Sequence, residues 1–600
     1  MGFIDSWVAA CLMPLAVWVL ASGLDDLVLD VAWLWGWLRG RLRRAGHAAW
    51  PDRAALEGAP EKRMALFVPL WREDGVIGRM LEHNLAAIDY SSYDVFIGAY
   101  PNDRATLEAV QEAERRFERV HLVVCPNDGP TSKADCLNWI YQGMLLFEEE
   151  QRTRFEVILL HDAEDLVHPE SLRWVNYLAD THDMIQIPVL PLPSPWWRFT
   201  HGVYCDEFAE FQSRDMPVRR MLGGFMPSSG VGTGYSRRAL ERLAAAASGC
   251  IFAPDCLTED YEVGLRLRNL GCRQVFVPIR FLNGNPLATR ELFPETFESA
   301  LRQRTRWVIG IALQAWQKHG WGRGFLEHYW FWRDRKGLVG NPVGLLLNLL
   351  FLYGLLTWLR SGLWATPWGL AEGVASLSMN WVLDVTLLLM LWRLGVRAGC
   401  ATRVYGWRFA LGAPLRVVWA TWLNGLATVS ALARYLEARL DRQSLVWLKT
   451  AHRYPSRAAL MNHKRRLGEI LVGCGRLREQ ELETALSSKP PELRLGEHLV
   501  TTGRLSAEDV YEALGRQQNL PFERLDPAGV RGWAPAALPA SVARRCRVVA
   551  FTIEPGRLYV AGPELPSEDV ERELRLATGL EIRYHLITPA NLEALSRALA

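Results

Sequence analysis

From Met64 onward, short apolar runs rich in β-prone residues alternate with stretches of helical periodicity: residues 64–70, 95–100, 120–125, 157–161 and 184–189 are the runs. Strands separated by helix-length segments specify a parallel sheet with helical crossovers. Sheets of that kind gather their ligands at the carboxyl ends of the strands. The polar clusters Arg72-Glu73-Asp74, Pro101-Asn102-Asp103 and His161-Asp162-Ala163-Glu164-Asp165 fall at those ends. An α/β catalytic domain over residues 53–335 is the expectation.

Apolar segments bracket that domain. The first, residues 7–24, approaches the length needed to cross a bilayer, and an acidic, Trp-rich stretch and then Arg39, Arg41, Arg43 and Arg44 follow it. It lacks a basic n-region and a small-residue cleavage site, so region 1–52 is expected to be a retained anchor. Basic residues mark the cytoplasmic side, which places the N-terminus outside and the α/β domain inside. Region 336–440 holds two further spans, 338–359 and 374–392, and a third apolar stretch, 417–433, bracketed by Arg416 and Arg434 and containing Asn424. That stretch is short with polar flanks, as an interfacial helix would be. Half of the 600 residues are apolar and 26 are Trp, which suits a chain partly in lipid with Trp at the interface. The 68 basic residues are balanced by 66 acidic ones, which argues against a nucleic-acid partner. Ten Cys without any paired spacing argue against a zinc ribbon or a disulfide framework.

Three polar signatures carry the chemistry. Asp162, with Glu164 or Asp165, can offer carboxylate oxygens to a hard cation such as Mg2+ or Mn2+. The same five residues could also be an acidic helix cap. In Thr258-Glu259-Asp260, Asp260 can take a proton from a hydroxyl with Glu259 supporting it, while helix capping is the plainer alternative. Gln303, Arg306 and Trp307 share one helix face at i, i+3, i+4 spacing. Arg suits a diphosphate and Trp the face of a sugar ring, although a membrane-surface helix also uses Arg and Trp.

In this order and spacing the three signatures resemble the processive, membrane-integrated members of glycosyltransferase family 2, the group of cellulose and hyaluronan synthases. The resemblance implies a Rossmann-like GT-A fold and direct, inverting transfer from a nucleotide sugar, expected to be a UDP-sugar. Within it, Pro69, Glu73 and Asp74 look like the first nucleotide-binding loop, Asp103 the uracil or ribose contact, and Lys133 with Asn138 a Lys-Ala-x-x-Leu-Asn segment that, with Asp162, contacts the donor. Gly232 and Thr233 resemble an acceptor-side loop that works with Trp307. Where the family has Asp-x-Asp, this chain has Asp162-Ala163-Glu164.

Region 441–600 repeats itself. Arg466-Leu467-Gly468-Glu469 recurs as Arg494-Leu495-Gly496-Glu497, and the match continues through Leu471 and Leu499, Gly475 and Gly503, and Ala485 and Ala513. Each unit reads as a helical hairpin, and an α+β module follows from Pro521. The repeat resembles the N-terminal domain of type II secretion ATPases, which implies cyclic di-GMP as an allosteric activator bound by Arg466, Leu467, Gly468, Leu471, Gly475 and their counterparts Arg494, Leu495, Gly496, Leu499 and Gly503, with Gln517. The first unit has Lys489 where the second has Gln517. A plain structural duplication is the alternative. A cytoplasmic signal requires this domain inside, so 417–433 is expected to lie along the inner face rather than cross.

The whole arrangement resembles the bacteriophage adsorption protein B family. That implies a multi-pass protein of the bacterial inner membrane that polymerises a hexosyl or N-acetylhexosaminyl unit into an exported polysaccharide, in contact with membrane lipid. An outer-membrane export partner, a homo-oligomer and a role in phage adsorption are implied with it. Two other functions compete: a non-catalytic membrane scaffold, and a non-processive transferase acting on a lipid-linked sugar.

Overall fold

The computed structural model describes residues 3–42, 50–247, 249–282, 284–322, 324–375, 380–441, 466–473, 476–518, 520–526, 530, 533–554 and 556–599. It divides into two compact units, one of Met1–Leu81 and Ile88–Ser456, the other centred on Arg457–Ala600.

Eight strands frame the site in the first unit: β1 Met64–Pro69, β2 Tyr93–Ala99, β3 Val120–Val124, β4 Val157–Leu160, β5 Met184–Gln186, β6 Val189–Pro191, β7 Thr233–Ser236 and β8 Gln274–Phe276. Seven of them form one sheet in the order β3-β2-β1-β4-β7-β5-β8. The strands β1 to β4 pair in parallel, joined by crossover helices such as Lys133–Gln151. Helices cover both faces, so these strands are apolar on both sides rather than alternating. Phe67, Phe96, Phe155, Leu137 and Ile140 share one core cluster there. Each such side chain contributes roughly 1.5–3 kcal/mol by leaving water.

The sheet departs from the parallel expectation at β7, which is antiparallel to both β4 and β5. Thr233 and Gly234, expected in a loop, are therefore strand residues, and Gly232 lies in the bend that leads into β7. Thr233 is fully buried, and its hydroxyl donates to Gln186 Oε1 at 2.8 Å. Arg237 and Arg238, which open the helix after β7, pair with Glu148 of the helix Lys133–Gln151 and with Asp183 just before β5.

Among the described residues two helices, Ile4–Arg39 and Phe325–Trp364, are long and apolar enough to cross a membrane. The first belongs to one continuous helix, Phe3–Leu42, so the acidic Trp-rich stretch continues the apolar run as helix. Asp25, Asp26 and Asp30 on it are not exposed acids: they pair with Arg333, Lys336 and Arg214. The expected span 374–392 falls partly on 376–379, outside the described residues; Asn380–Tyr405 follows as helix. Stretch 417–433 lies within the helix Ala413–Leu440. Its outer face exposes Leu415, Val418 and Val429. Arg416, expected as an interfacial flank, is instead fully buried and forked onto Asp206 at 2.6 and 2.8 Å. Removing one partner of such a pair leaves a buried charge and costs about 3–5 kcal/mol.

In the second unit the repeat forms the helices Leu467–Gly473, Glu479–Ser488, Leu495–Thr501 and Ala507–Gln518. Equivalent residues meet in one core: Leu471 with Leu499, Leu477 with Leu505, Ala485 with Ala513. An added Cβ would come within 2.6 Å of Leu482 at Gly468 and 2.7 Å of Val510 at Gly496, two contacts at equivalent places. These glycines let the helices approach. Beyond the repeat, Val549–Glu554 and Arg557–Gly562 pair antiparallel and Glu581–Leu586 adds in parallel.

Candidate active site

At the carboxyl ends of β1, β2 and β4 the first unit encloses a cavity of about 370 Å3. Each element delivers its residue for a local reason. Ser132 caps the helix Lys133–Gln151 by accepting Asp135 N–H, which sets Lys133 in the first turn. The end of β4 presents Asp162 and Glu164, and the helix Glu259–Asn269 opens on Glu259 and Asp260. The helix Phe297–Trp307, capped by Thr296, carries Gln303, Arg306 and Trp307 on its last turn. All of these residues, with Pro69 and Glu73, line the one cavity.

Its charges are crowded. Lys133 Nζ lies 2.6 Å from Asp162 Oδ1. Burial works against that ammonium, but Asp162, Glu259 and Asp260 hold it above its ordinary value. Burial pushes the Glu259 carboxyl up to about 7, with the Asp260 charge adding to the rise. Burial also raises the Asp260 carboxyl, against the pull of Lys133 and Arg306. Glu259 and Asp260, neighbours on the chain and both taken out of water, therefore keep their protons to higher pH than free carboxylates do. Gly230 makes room for Asp260: its φ is +75°, and a Cβ there would sit 2.9 Å from Asp260 Oδ2.

Other expected site residues have structural tasks. Asp165 is fully buried, with Oδ2 2.8 Å from His161 Nδ1 and 3.1 Å from Asp162 N. It shapes the loop from behind, so Asp162 and Glu164 are the acids that face the cavity. Burial lowers the His161 imidazole to about 4. Asp103 accepts the N–H of Arg72, a residue at φ +56°, and Asn138 braces the 251–252 backbone, accepting from Phe252 N–H at 3.0 Å and donating to its carbonyl at 2.8 Å. Asp74 is exposed in the first turn of a helix and, like Asp103, Asn138, Gly232 and Thr233, lies outside the cavity lining.

A divalent cation in a transferase site is held by one or two carboxylates together with substrate phosphates. Among the described residues no group of three His, Cys, Asp or Glu is arranged to hold a metal. Asp162 and Glu164 thus fit a cation completed by the substrate, and do not fit a self-sufficient protein cage.

The sequence reading missed an aromatic wall. Phe208, Phe211 and Phe293 line the cavity beside Trp307, with ring centroids 6.3 Å apart for Phe208 and Trp307 and 6.4 Å for Phe293 and Trp307. Scattered Phe residues carry no local signal; only the fold assembles them. Two π-helices flank this wall, Phe211–Asp215 and Val308–Gln314.

In the second unit Arg466 and Arg494 are exposed, whereas Leu471, Leu499, Gly468 and Gly496 are packed inside. Glu497 accepts the Arg494 N–H at 3.0 Å, opening the helix. Leu467 and Leu495 pack against the same core. Gly503 takes φ +67° where the Leu495–Thr501 helix ends, and Gln517 is half-buried. Lys489 donates to the Leu493 carbonyl at 2.7 Å and so serves its own loop. Gly475 lies outside the described residues, as do Arg43 and Arg44.

The family model "Glycosyltransferase like family 2" matches residues 60–310. Among solved structures, the chain is similar to a mannosyltransferase from Pyrobaculum calidifontis in complex with GDP-Man and Mn2+, at 16% identity and TM-score 0.38, covering 68% of this chain and 99% of that one. It is also similar to a structure of MshE with cdg, at 26% identity and TM-score 0.20, covering 22% of this chain and 99% of that one. Bacteriophage adsorption protein B of Escherichia coli strain K12 is 36% identical over 597 residues, 96% of this chain and 79% of that protein. Bacteriophage N4 adsorption protein B of Escherichia coli O157:H7 matches to the same extent. The chain therefore belongs to the bacteriophage adsorption protein B family and carries a glycosyltransferase family 2 domain.

Proposed function

We propose that the chain is an inverting, membrane-bound polysaccharide synthase that draws on a UDP-sugar and is switched on by cyclic di-GMP. The observation that carries the transferase reading is the convergence of Asp162, Glu164, Asp260, Gln303, Arg306 and Trp307 on one cavity from three separate elements. Asp260 takes the proton of the acceptor hydroxyl as that oxygen attacks the anomeric carbon and the diphosphate leaves. A raised carboxyl is a better base for this than an ordinary one. Arg306 and Lys133 bind the negative charge that grows on the leaving group. Asp162 and Glu164 would hold Mg2+ or Mn2+, which supplies further neutralisation of the diphosphate. Trp307 offers its ring face to a sugar, and Glu259 keeps the helix start beside Asp260.

Membrane insertion, which an exporter of a growing polymer needs, is supported by exposed apolar faces on two helices. Leu355, Leu356 and Trp358 on one apolar helix and Trp381, Leu387 and Leu388 on another are exposed. A multi-pass inner-membrane location with the catalytic and C-terminal domains in the cytoplasm follows from that reading, as do an outer-membrane partner and phage adsorption. For cyclic di-GMP the support is the paired exposure of Arg466 and Arg494, which are suited to stack on purines and fork onto phosphates. The test is a screen of UDP-sugars for UDP release by the purified chain, with and without cyclic di-GMP. One donor giving release that cyclic di-GMP increases is expected. Release with no donor overturns the transferase reading, and release indifferent to the dinucleotide overturns the regulation.

A further inference from the structure

Gln212 stands apart from every other residue of the cavity lining. Its side chain is fully buried, and both its amide nitrogen and its amide oxygen are without a hydrogen-bond partner in the protein. Among the described residues of the lining it is the one whose whole polar end is in that state. A buried amide unpaired at both ends is expensive, and nearly all buried polar groups in folded proteins have a partner. A group kept in this condition on a cavity wall is a group awaiting a ligand.

Its place on the chain explains how it is aimed. Gln212 lies on the π-helix Phe211–Asp215, an irregularity that recurs at functional sites. Two residues further on, Arg214 is pinned to Asp30 of the N-terminal helix at 2.6 Å, and Trp33 of that helix donates to the Ser213 carbonyl at 3.1 Å. Residues two apart on a helix point to opposite sides. With Arg214 tied to the N-terminal helix, Gln212 is turned into the cavity.

The surroundings identify the ligand. Phe208 and Phe211, on the same helical run, line the cavity with Phe293 and Trp307, so this wall is aromatic and its own polar contribution is one neutral amide. A diphosphate would find no cation there. A pyranose would find ring faces to stack on and, in Gln212, one donor and one acceptor side by side, the complement of two neighbouring hydroxyls. We infer that Gln212 reads a vicinal hydroxyl pair of the acceptor sugar and sets acceptor specificity. This rests on the transferase reading above.

The test is Gln212→Met, similar in volume and apolar, beside Gln212→Glu, which keeps the acceptor atoms but loses the donor. Methyl pyranosides of gluco, galacto and 2-acetamido-2-deoxygluco configuration serve as acceptors, and nucleotide release is followed with acceptor and donor varied in turn. For the acceptor that wild type uses best, Gln212→Met is expected to raise the acceptor KM about tenfold or more. Donor KM stays within about twofold, and Tm holds or rises because an unpaired amide has been removed. Gln212→Glu is expected to fall between the two. An unchanged acceptor KM in Gln212→Met overturns the inference, as does a joint rise of both KM values with a lowered Tm, the mark of a structural role. Wild type releasing nucleotide with no donor and acceptor pair overturns the transferase reading, and this inference with it.

Discussion

The cavity of the first unit and the tandem repeat of the second are both built on short mixed motifs, and they turn them in opposite directions. In the cavity the charged members face inward: Glu259 is 7% exposed and Glu164 4%, each beside other carboxylates. In the repeat the apolar members face inward, with Leu471 and Leu499 at 0%, while Arg466 and Arg494 stay outside. Burying like charges costs free energy that packing elsewhere must offset, and it shifts protonation. Burying leucine against leucine is the ordinary route to stability. The cavity is thus organised for reaction, whereas the repeat is organised for folding and keeps Arg466 and Arg494 at the surface.

Substitutions can break that contrast. Asp260→Asn is expected to lower transfer about a thousandfold while UDP affinity, measured by titration calorimetry, is unchanged. Near-normal turnover would remove Asp260 from the role of base. The double variant Arg466→Ala, Arg494→Ala is expected to lose about a hundredfold in cyclic di-GMP affinity with no change in Tm, because neither side chain is part of the packed core. An unchanged titration would make the repeat a purely structural duplication.

Smaller effects sharpen the same line. A base must be ionised to act, and a raised carboxyl pKa keeps the proton on at higher pH. Transfer is therefore expected to fall, by up to tenfold per unit, as pH drops through the raised pKa of the Asp260 carboxyl. A pH–rate profile flat down to the ordinary carboxylate range would contradict the crowding of acids. Gly496→Ala brings a Cβ against Val510 and is expected to cost about 1 kcal/mol in urea unfolding of the chain, with transfer in the absence of cyclic di-GMP untouched.

The strands β1 to β5 and the helix bearing Gln303, Arg306 and Trp307 were legible because period and spacing are local properties. The antiparallel β7 was not, since Thr233–Ser236 is short and its polar ends read as a loop until Gln186 and Asp183 satisfy them. Asp103, Asn138 and Asp165 show the limit of motif reading in the site. A polar residue that braces backbone and one that faces a ligand have the same letter, and only burial and partners separate them. Phe208, Phe293 and Gln212 were invisible for a further reason. They are brought to the cavity by contacts across the fold, including the tie from Arg214 to Asp30 far away in the chain.

The central claim is that one base, Asp260, drives a single direct displacement in this cavity. The anomeric configuration of the new glycosidic bond formed from the accepted α-linked nucleotide sugar, read by NMR of the isolated product, tests this directly. A β-linked product is expected. An α-linked product would mean retention at the anomeric carbon and would contradict it.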